Sequence, residues 1–440
     1  MPETSAILPP KQPLINRRQF RRFIIGIVAI VLIGAVIWIV QTVRDFDFPR
    51  NANTIGDMAA IQYFPGGSQA VLIKPDGTVT PSQNYHDGIH DRDPVWRPDG
   101  NRLYFTSDRE PNQMNLYRWN PGSGKVERRT ATNGAYANLI YSGDDPSSGK
   151  GLISMGGMIV EFDPVTGDTT PILPPTQKNT GQSSEGRISN IEGSLFAPYG
   201  TSFKSACWFD GGKYVVCVMR GENGEILLMQ DMTPITENQL PPPYIIMAGD
   251  SIDIAYSRTS KQVAYTLQGF RFPDPNSIPA QFIQNGKVIA PIRHMVGLLD
   301  PKSPNTQRTP GSLPFNPLTV VASKNDKNVF GDPVFAPDGN SVILTVGVYN
   351  GDGLMDVKGL IGMPAREGGG SSPALIHKGP AAQVTFSADS KTVGYVERRA
   401  DGLNVIHTMN IDGSNDKAIT EGKGSFGQPK FSPQSAAPSQ

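Results

Sequence analysis

The sequence predicts an all-β fold, a β-propeller of seven blades with six as the alternative, preceded by one transmembrane α-helix. Three observations predict it. Forty-seven glycines and 39 prolines in 440 residues make a turn-dense chain that still falls short of a disordered composition. A landmark of one aromatic followed by a turn recurs along the body. The two ends of that body read as complementary halves of one repeat.

The landmark is clearest in residues 94–106 (PVWRPDGNRLYFT) and 333–345 (PVFAPDGNSVILT). Asp-Gly between alternating apolar runs is a strong hairpin signal, because glycine accepts the positive φ of the turn. Weaker copies follow Tyr141, Trp208, Tyr256, Phe386 and Phe431. With Trp96 and Phe335 these give seven anchors, separated by 45, 67, 48, 79, 51 and 45 residues. A base period near 45 is the length of a four-stranded propeller blade. Later strands of a unit are legible at Leu116 to Trp119 and Lys125 to Thr130, and again at Asn404 to Asn410 and Lys417 to Thr420. The segment ending at Phe431 opens a unit whose other strands never follow. Residues 59–64 and 70–74 are later strands without an opener. Joining the two closes the ring and removes two exposed sheet edges.

The amino terminus predicts the compartment. No charged residue occurs from Phe23 to Val43, a run long enough to cross a hydrocarbon core. Lys11, Arg17, Arg18, Arg21 and Arg22 precede it, while Arg44, Asp45, Asp47 and Arg50 follow and nearly cancel. That asymmetry places the first residues in the cytoplasm and the body outside. The run exceeds a signal-peptide core and no small-residue cleavage site follows, so an uncleaved signal anchor is expected. The organisation is then a basic tail at 1–22, the anchor at 23–43, a linker at 44–58, the propeller at 59–433 and a disordered tail at 434–440. Such a chain belongs to a cell envelope, in a bacterial periplasm or at the cell surface.

Charge and cysteine content exclude other classes. Forty basic residues cancel 40 acidic ones, whereas a nucleic-acid binder needs a basic surplus to neutralise phosphates. Two cysteines in the whole chain rule out a disulfide-scaffolded module.

The pattern at Pro94 to Thr130, recognisable again at Pro333 to Val348 and Gln383 to Thr420, resembles the TolB-type, WD40-like propeller repeat. The resemblance extends loosely over residues 60–433. It implies a periplasmic propeller that binds proteins of the envelope. Other members of that family sit beside a hydrolase domain, but no G-x-S-x-G nucleophile elbow occurs here.

Two intervals exceed the base period, by 22 and 34 residues. The first excess falls at 174–194, polar and rich in glycine and serine. The second falls at 270–291, with an extra hairpin around Asn285-Gly286. Loops this long are either functional or tolerated surface insertions.

Candidate chemistry is sparse. His86, His90, Asp91, Arg92 and Asp93 concentrate two of five histidines and several charges just before an inner strand. There they form a polar contact patch on the funnel rim or, with imidazoles and carboxylates together, hold a transition metal. Val348 to Asp356 resembles the calcium loop of integrin-type repeats, with Asn350, Asp352 and Asp356 as the Ca²⁺ oxygen donors. Val348 stands where that loop has its first aspartate, and a plain glycine-rich turn is the competing reading. Cys207 and Cys217 lie equally far from residue 212. They face each other across a hairpin as a disulfide, or they are two buried thiols. Asp99, Asp108 and Asp338 belong to repeat turns, and Trp96, Trp119 and Trp208 to packing.

The functional expectation is a membrane-anchored, non-enzymatic module that grips a protein or peptide of the envelope. It needs no cofactor, touches the membrane through 23–43 and contacts no nucleic acid. The alternative is a metal-dependent carbohydrate lyase or hydrolase on the same scaffold, built around His86 and His90.

Overall fold

The strands begin where the alternating apolar runs begin. The computed structural model describes residues 57–433, apart from 84–85, 111–112, 131–134, 143–149, 176–190, 192–193, 223, 237–238, 274–277, 279, 286, 289, 291, 307–311, 326, 350–354 and 366–372. The expected anchor at 23–43 lies outside the described residues, as do the tail at 434–440 and nearly all of the linker. Among the described residues no helix is long and apolar enough to cross a membrane.

The chain folds as an all-β propeller. Five four-stranded antiparallel sheets and one seven-stranded sheet follow one another, with a two-stranded hairpin beside them. Turn chemistry sets the strand ends. In the turn after Trp96, Asp99 Oδ1 accepts from the Asn101 amide at 3.0 Å while Gly100 takes φ +71°. The copy after Phe335 repeats this, with Asp338 Oδ1 accepting from Asn340 at 2.9 Å and Gly339 at φ +75°. These aspartates are backbone caps, as expected. Asp108 is different. It stands on the strand Leu103–Glu110 and accepts from the His90 amide at 2.6 Å.

The seven-stranded sheet arises because one strand serves twice. Tyr244–Tyr256 runs for 13 residues. Its first part pairs with Gly224–Asp231, from Met229↔Tyr244 to Glu225↔Gly249. Its later part pairs with Val263–Arg271, ending at Tyr256↔Val263. One meander therefore closes and the next opens without a break in the ladder.

The ends meet as the two half-repeats require. Ser425–Phe431 pairs antiparallel with Met58–Phe64, from Tyr63↔Ser425 to Met58↔Phe431. The innermost strands touch in cyclic order: Ser425–Phe431, Asp91–Trp96, Tyr136–Tyr141, Ser202–Phe209, Tyr244–Tyr256, Val329–Phe335, Ala381–Phe386 and back to Ser425–Phe431. Hydrophobic clusters lie between successive units around that circle. Ala59, Ile61, Trp96 and Trp119 join the closing sheet to the next one, and Met58, Val71, Val396 and Ile406 join it to the one before. Trp96 adds a polar stitch, its Nε1–H donating to Lys430 O at 2.8 Å.

One anchor differs from the sequence expectation. Phe209, not Trp208, fills the aromatic position of its unit. Phe209 is 1% exposed and its ring meets Phe315 edge-on, whereas Trp208 is half-buried. The hairpin closes at Phe209↔Tyr214, so side-chain alternation puts the neighbouring tryptophan on the other face.

Candidate functional site

The segment with His86 and His90 has a structural task. Asp91 is fully buried and accepts from the Ala70 amide at 2.9 Å and from Arg109 Nη2 at 2.7 Å. The Arg109 guanidinium lies over the Phe105 and Tyr117 rings, 4.8 and 5.3 Å from their centroids. This buried, two-sided clamp fixes the entry to the inner strand. His90 Nδ1 lies 2.9 Å from Asp108 Oδ2. His86 and Arg92 join no cluster, and no group of three or more metal-ligating side chains stands ready to hold a metal among the described residues. Asp93 lies in the bulge of the strand Asp91–Trp96.

Of the calcium loop, Asn350 and Asp352 lie outside the described residues. Asp356 lies on the strand Met355–Pro364, paired to Lys358 Nζ.

Cys207 and Cys217 do not form the bridge. Both are free and buried. The register pairs Cys217 with Ala206 and Cys207 with Val216, one residue off the symmetric pairing. That single step sends the two thiols to opposite faces of the sheet, into different hydrophobic clusters. Burial pushes both thiols well above the ordinary cysteine range.

Two other histidines, which stand apart in the chain, gather in one cluster. Tyr395 Oη donates to Asp416 Oδ2 at 2.6 Å and lies 3.0 Å from His377 Nδ1. His407 Nδ1 lies 3.0 Å from Asp416 Oδ1, and its Nε2 lies 3.2 Å from Glu397 Oε2. Burial works to raise the Asp416 carboxyl, but hydrogen bonds from Tyr395 and His407 prevail and hold it below the usual carboxylate range. His377 belongs to the strand Ala374–Lys378 of one sheet, Tyr395, Glu397 and His407 to strands of the next, and Asp416 directly precedes that sheet's last strand, so the cluster ties two sheets together.

The second long insertion lines a cavity. A cleft of about 780 Å³ opens between the turn Ala197 to Thr201, just after the first insertion, and Phe270 to Ala290 of the second. Its floor is backbone: Gly224 takes φ +119°, and a Cβ there would stand 2.3 Å from Gly249 O. One wall is aromatic. Phe270 and Phe272 meet edge-on at 5.1 Å, and Phe272 lies 5.4 Å from Phe282. Val288, on the same wall, is 51% exposed. Arg271, also on the lining, pairs with Asp250, which in turn accepts from Tyr349 Oη. Glu225 lies at the other side, held by Lys204 at 3.0 Å and Arg220 at 3.2 Å.

The innermost strands present a second site around the axis. Bulges in six of them carry Asp93, Asn138, Lys204, Asp332, Gln383 and Gln428, and the long strand carries Asp253. Five of these take the left-handed backbone, with φ between +46° and +56°, which a bulge imposes and short polar side chains tolerate best. Neighbours around the circle are linked. Gln428 Oε1 accepts from the Asp93 amide at 2.8 Å, and Gln383 Oε1 accepts from the Gln428 amide at 2.6 Å. Asn138 Nδ2 donates to Lys204 O at 3.0 Å, and Lys204 Nζ donates to Asp253 Oδ1 at 2.9 Å.

The charges of this belt feel one another. Burial, reinforced by the Asp253 carboxylate, pushes Asp332 up to about 6, against the pull of Lys430 and Lys204. Burial likewise raises Asp93. It lowers Lys430, whose ammonium senses both Asp332 and Asp93. Asp332 itself is exposed to water. The sequence does carry a signal for the belt. Asp93, Asn138, Asp253, Asp332, Gln383 and Gln428 each stand three residues before an anchor aromatic, and all are polar. Lys204 breaks the spacing in the unit whose anchor is displaced.

A propeller with a cleft beside its second insertion and a belt of polar residues on its innermost strands is thus the class of molecule. No protein-family model matches the chain, and no curated protein matches it. It is similar to the TolB structure from Acinetobacter baumannii, at 12% identity and a TM-score of 0.45 over 86% of this chain and 67% of that one. It is also similar to a puromycin-hydrolyzing peptidase of Mycobacterium tuberculosis, at 10% identity and a TM-score of 0.48, covering 82% of this chain and 52% of that one. A post-proline cleaving enzyme from Rickettsia typhi gives 8% identity and a TM-score of 0.49, over 87% and 55%. The chain spans about half the length of these two enzymes. At such identities the likeness concerns the fold alone, and the propeller rests on its own sheets.

Proposed function

We propose that this chain is a membrane-anchored binding module whose propeller, read as seven blades with the seven-stranded sheet as two, captures a segment of a protein or peptide in the cleft beneath the 270–291 insertion. The cleft itself carries the reading. Its volume of about 780 Å³ falls in the range of ligand sites, which are concave, largely apolar and edged by a few fixed polar groups. Phe270, Phe272, Ile278 and Val288 supply the apolar wall, while Arg271 and Glu222 edge it. An apolar side chain of the partner would enter between the phenylalanines, and its backbone would lie along the glycine floor. The anchor at 23–43 would hold this site at the outer face of the membrane, within the envelope.

The test is photo-crosslinking in native membranes, with a photoreactive residue at Val288 in the full chain. A discrete protein adduct that disappears when Phe272→Glu is added is the expected result. Adducts identical with and without Phe272→Glu would overturn the cleft as the capture site.

A further inference from the structure

Three charged residues, Glu222, Glu225 and Arg271, line the cleft, and two of them are neutralised where they stand. The Glu225 carboxylate is buried and takes Lys204 Nζ at 3.0 Å, Arg220 Nε at 3.2 Å and the Ile252 amide at 2.8 Å. Arg271 donates its Nε–H to Asp250. Glu222 differs from both. It stands exposed on the tight turn between the strands Tyr214–Gly221 and Gly224–Asp231, and among the described residues no donor touches its carboxylate. Backbone contacts fix where that turn lies. The Thr201 amide donates to Arg220 O at 2.8 Å, and a Cβ on Gly200 would stand 2.4 Å from the same oxygen. The turn Ala197 to Thr201 therefore packs directly on the hairpin that carries Glu222, and Phe270, Phe272 and Val288 form the other side of the cleft.

An occupant of the cleft displaces water from both sides. Against the phenylalanines it must be apolar, and at the opposite lip it must replace the water around a carboxylate. An acidic group there is repelled, and an apolar one leaves Glu222 without a donor. A lysine or arginine side chain meets both demands at once. Its hydrocarbon stem covers apolar surface while its head stays polar, and its cation is also attracted to the face of an aromatic ring. We propose that the segment captured in the cleft presents a basic side chain, with its stem along Phe270 and Phe272 and its cation on Glu222. This inference rests on the capture reading above and adds to it the sign of the partner's charge. A volume of about 780 Å³ exceeds one side chain, so apolar neighbours of the basic residue fill the remainder. Arg271 on the lining and Arg220 behind it carry the opposite sign, but each already faces a carboxylate, Asp250 and Glu225 respectively.

The experiment is selection from a displayed library of random heptapeptides on the full chain in phosphatidylcholine nanodiscs, with empty nanodiscs as the subtraction. Glu222→Lys and Phe272→Glu are run in parallel. The unaltered chain should enrich Lys or Arg beside apolar residues. Glu222→Lys should lose that preference or turn it to Asp and Glu, and Phe272→Glu should enrich nothing. In calorimetric titration, exchanging the basic residue of the best peptide for Met should weaken it at least about ten-fold, and so should Glu222→Gln, the scale of one hydrogen bond between charged groups. Glu222 is exposed on a turn, so its variants should keep the thermal melt of the unaltered chain. Enriched peptides without a basic residue, enriched acidic residues, or the same basic preference on Glu222→Lys would overturn the inference and leave the capture reading in place. No enrichment on the unaltered chain, or equal enrichment on Phe272→Glu, would overturn both. Should Phe272→Glu fail to fold, the comparison with Glu222→Lys decides the inference.

Discussion

At the scale of single residues, one step of register decides the fate of the cysteines. Cys207 and Cys217 are symmetric about residue 212, but the hairpin is symmetric about a point half a residue away, because it pairs Phe209 with Tyr214. Period-two alternation then separates the thiols completely. Native protein should therefore yield no fast reaction with a thiol reagent, since burial keeps both groups protonated. Denaturation without reductant should release two titratable thiols. A count of zero after denaturation would restore the disulfide and the register that permits it. The axial belt belongs to this scale as well. Asp93 stands out in the sequence only as one charge among neighbours, yet six of seven belt residues share one offset from an aromatic. The chemistry was written there, but the offset gains meaning only once bulges turn those side chains to a common axis.

At the scale of elements, the aromatic anchors are the units that packing can test. Phe209 is enclosed by the cluster that also holds Tyr214, Ile252 and Phe315. Phe209→Ala should cost about 3–5 kcal/mol in a denaturant titration, the range for removing a fully buried ring. Trp208→Ala, beside it but half-buried, should cost less than about 2 kcal/mol. The reverse ranking would show that the hairpin closes one residue away from Phe209↔Tyr214. Spacing located the inner strands that end at Trp96, Tyr141, Tyr256, Phe335, Phe386 and Phe431, because a turn with Asp-Gly or its relatives follows such a strand. Spacing did not separate Trp208 from Phe209, since two aromatics in succession satisfy the same pattern and only burial tells them apart. Nor did it foresee that Tyr244–Tyr256 serves two units. A strand's sharing depends on how far its partners' ladders extend, which local sequence does not encode.

At the scale of the whole molecule, stability rests on closure. Ser425–Phe431 supplies the innermost strand of the sheet begun by Met58–Phe64, and Phe426 and Phe431 belong to the cluster that seals it. A chain ending at Gly424 should lose cooperative thermal unfolding and self-associate on size exclusion, because an open ring bares a strand edge and an apolar face. A truncated chain that melts as sharply as the full one would show that closure contributes little. The long-range pairing follows from the half-repeats at the two ends, and so the ring was determined by sequence: strand length, turn residues and period are local properties repeated many times. The cleft and the belt were decided only by the tertiary structure. Each gathers side chains from segments far apart in the chain, and the positions of those segments depend on how the sheets are arranged around one axis. The charged run at His86 to Asp93 reads as one cluster in one dimension, whereas in three its buried Asp91 pairs with Arg109 and Asp93 stands in a bulge of the innermost strand.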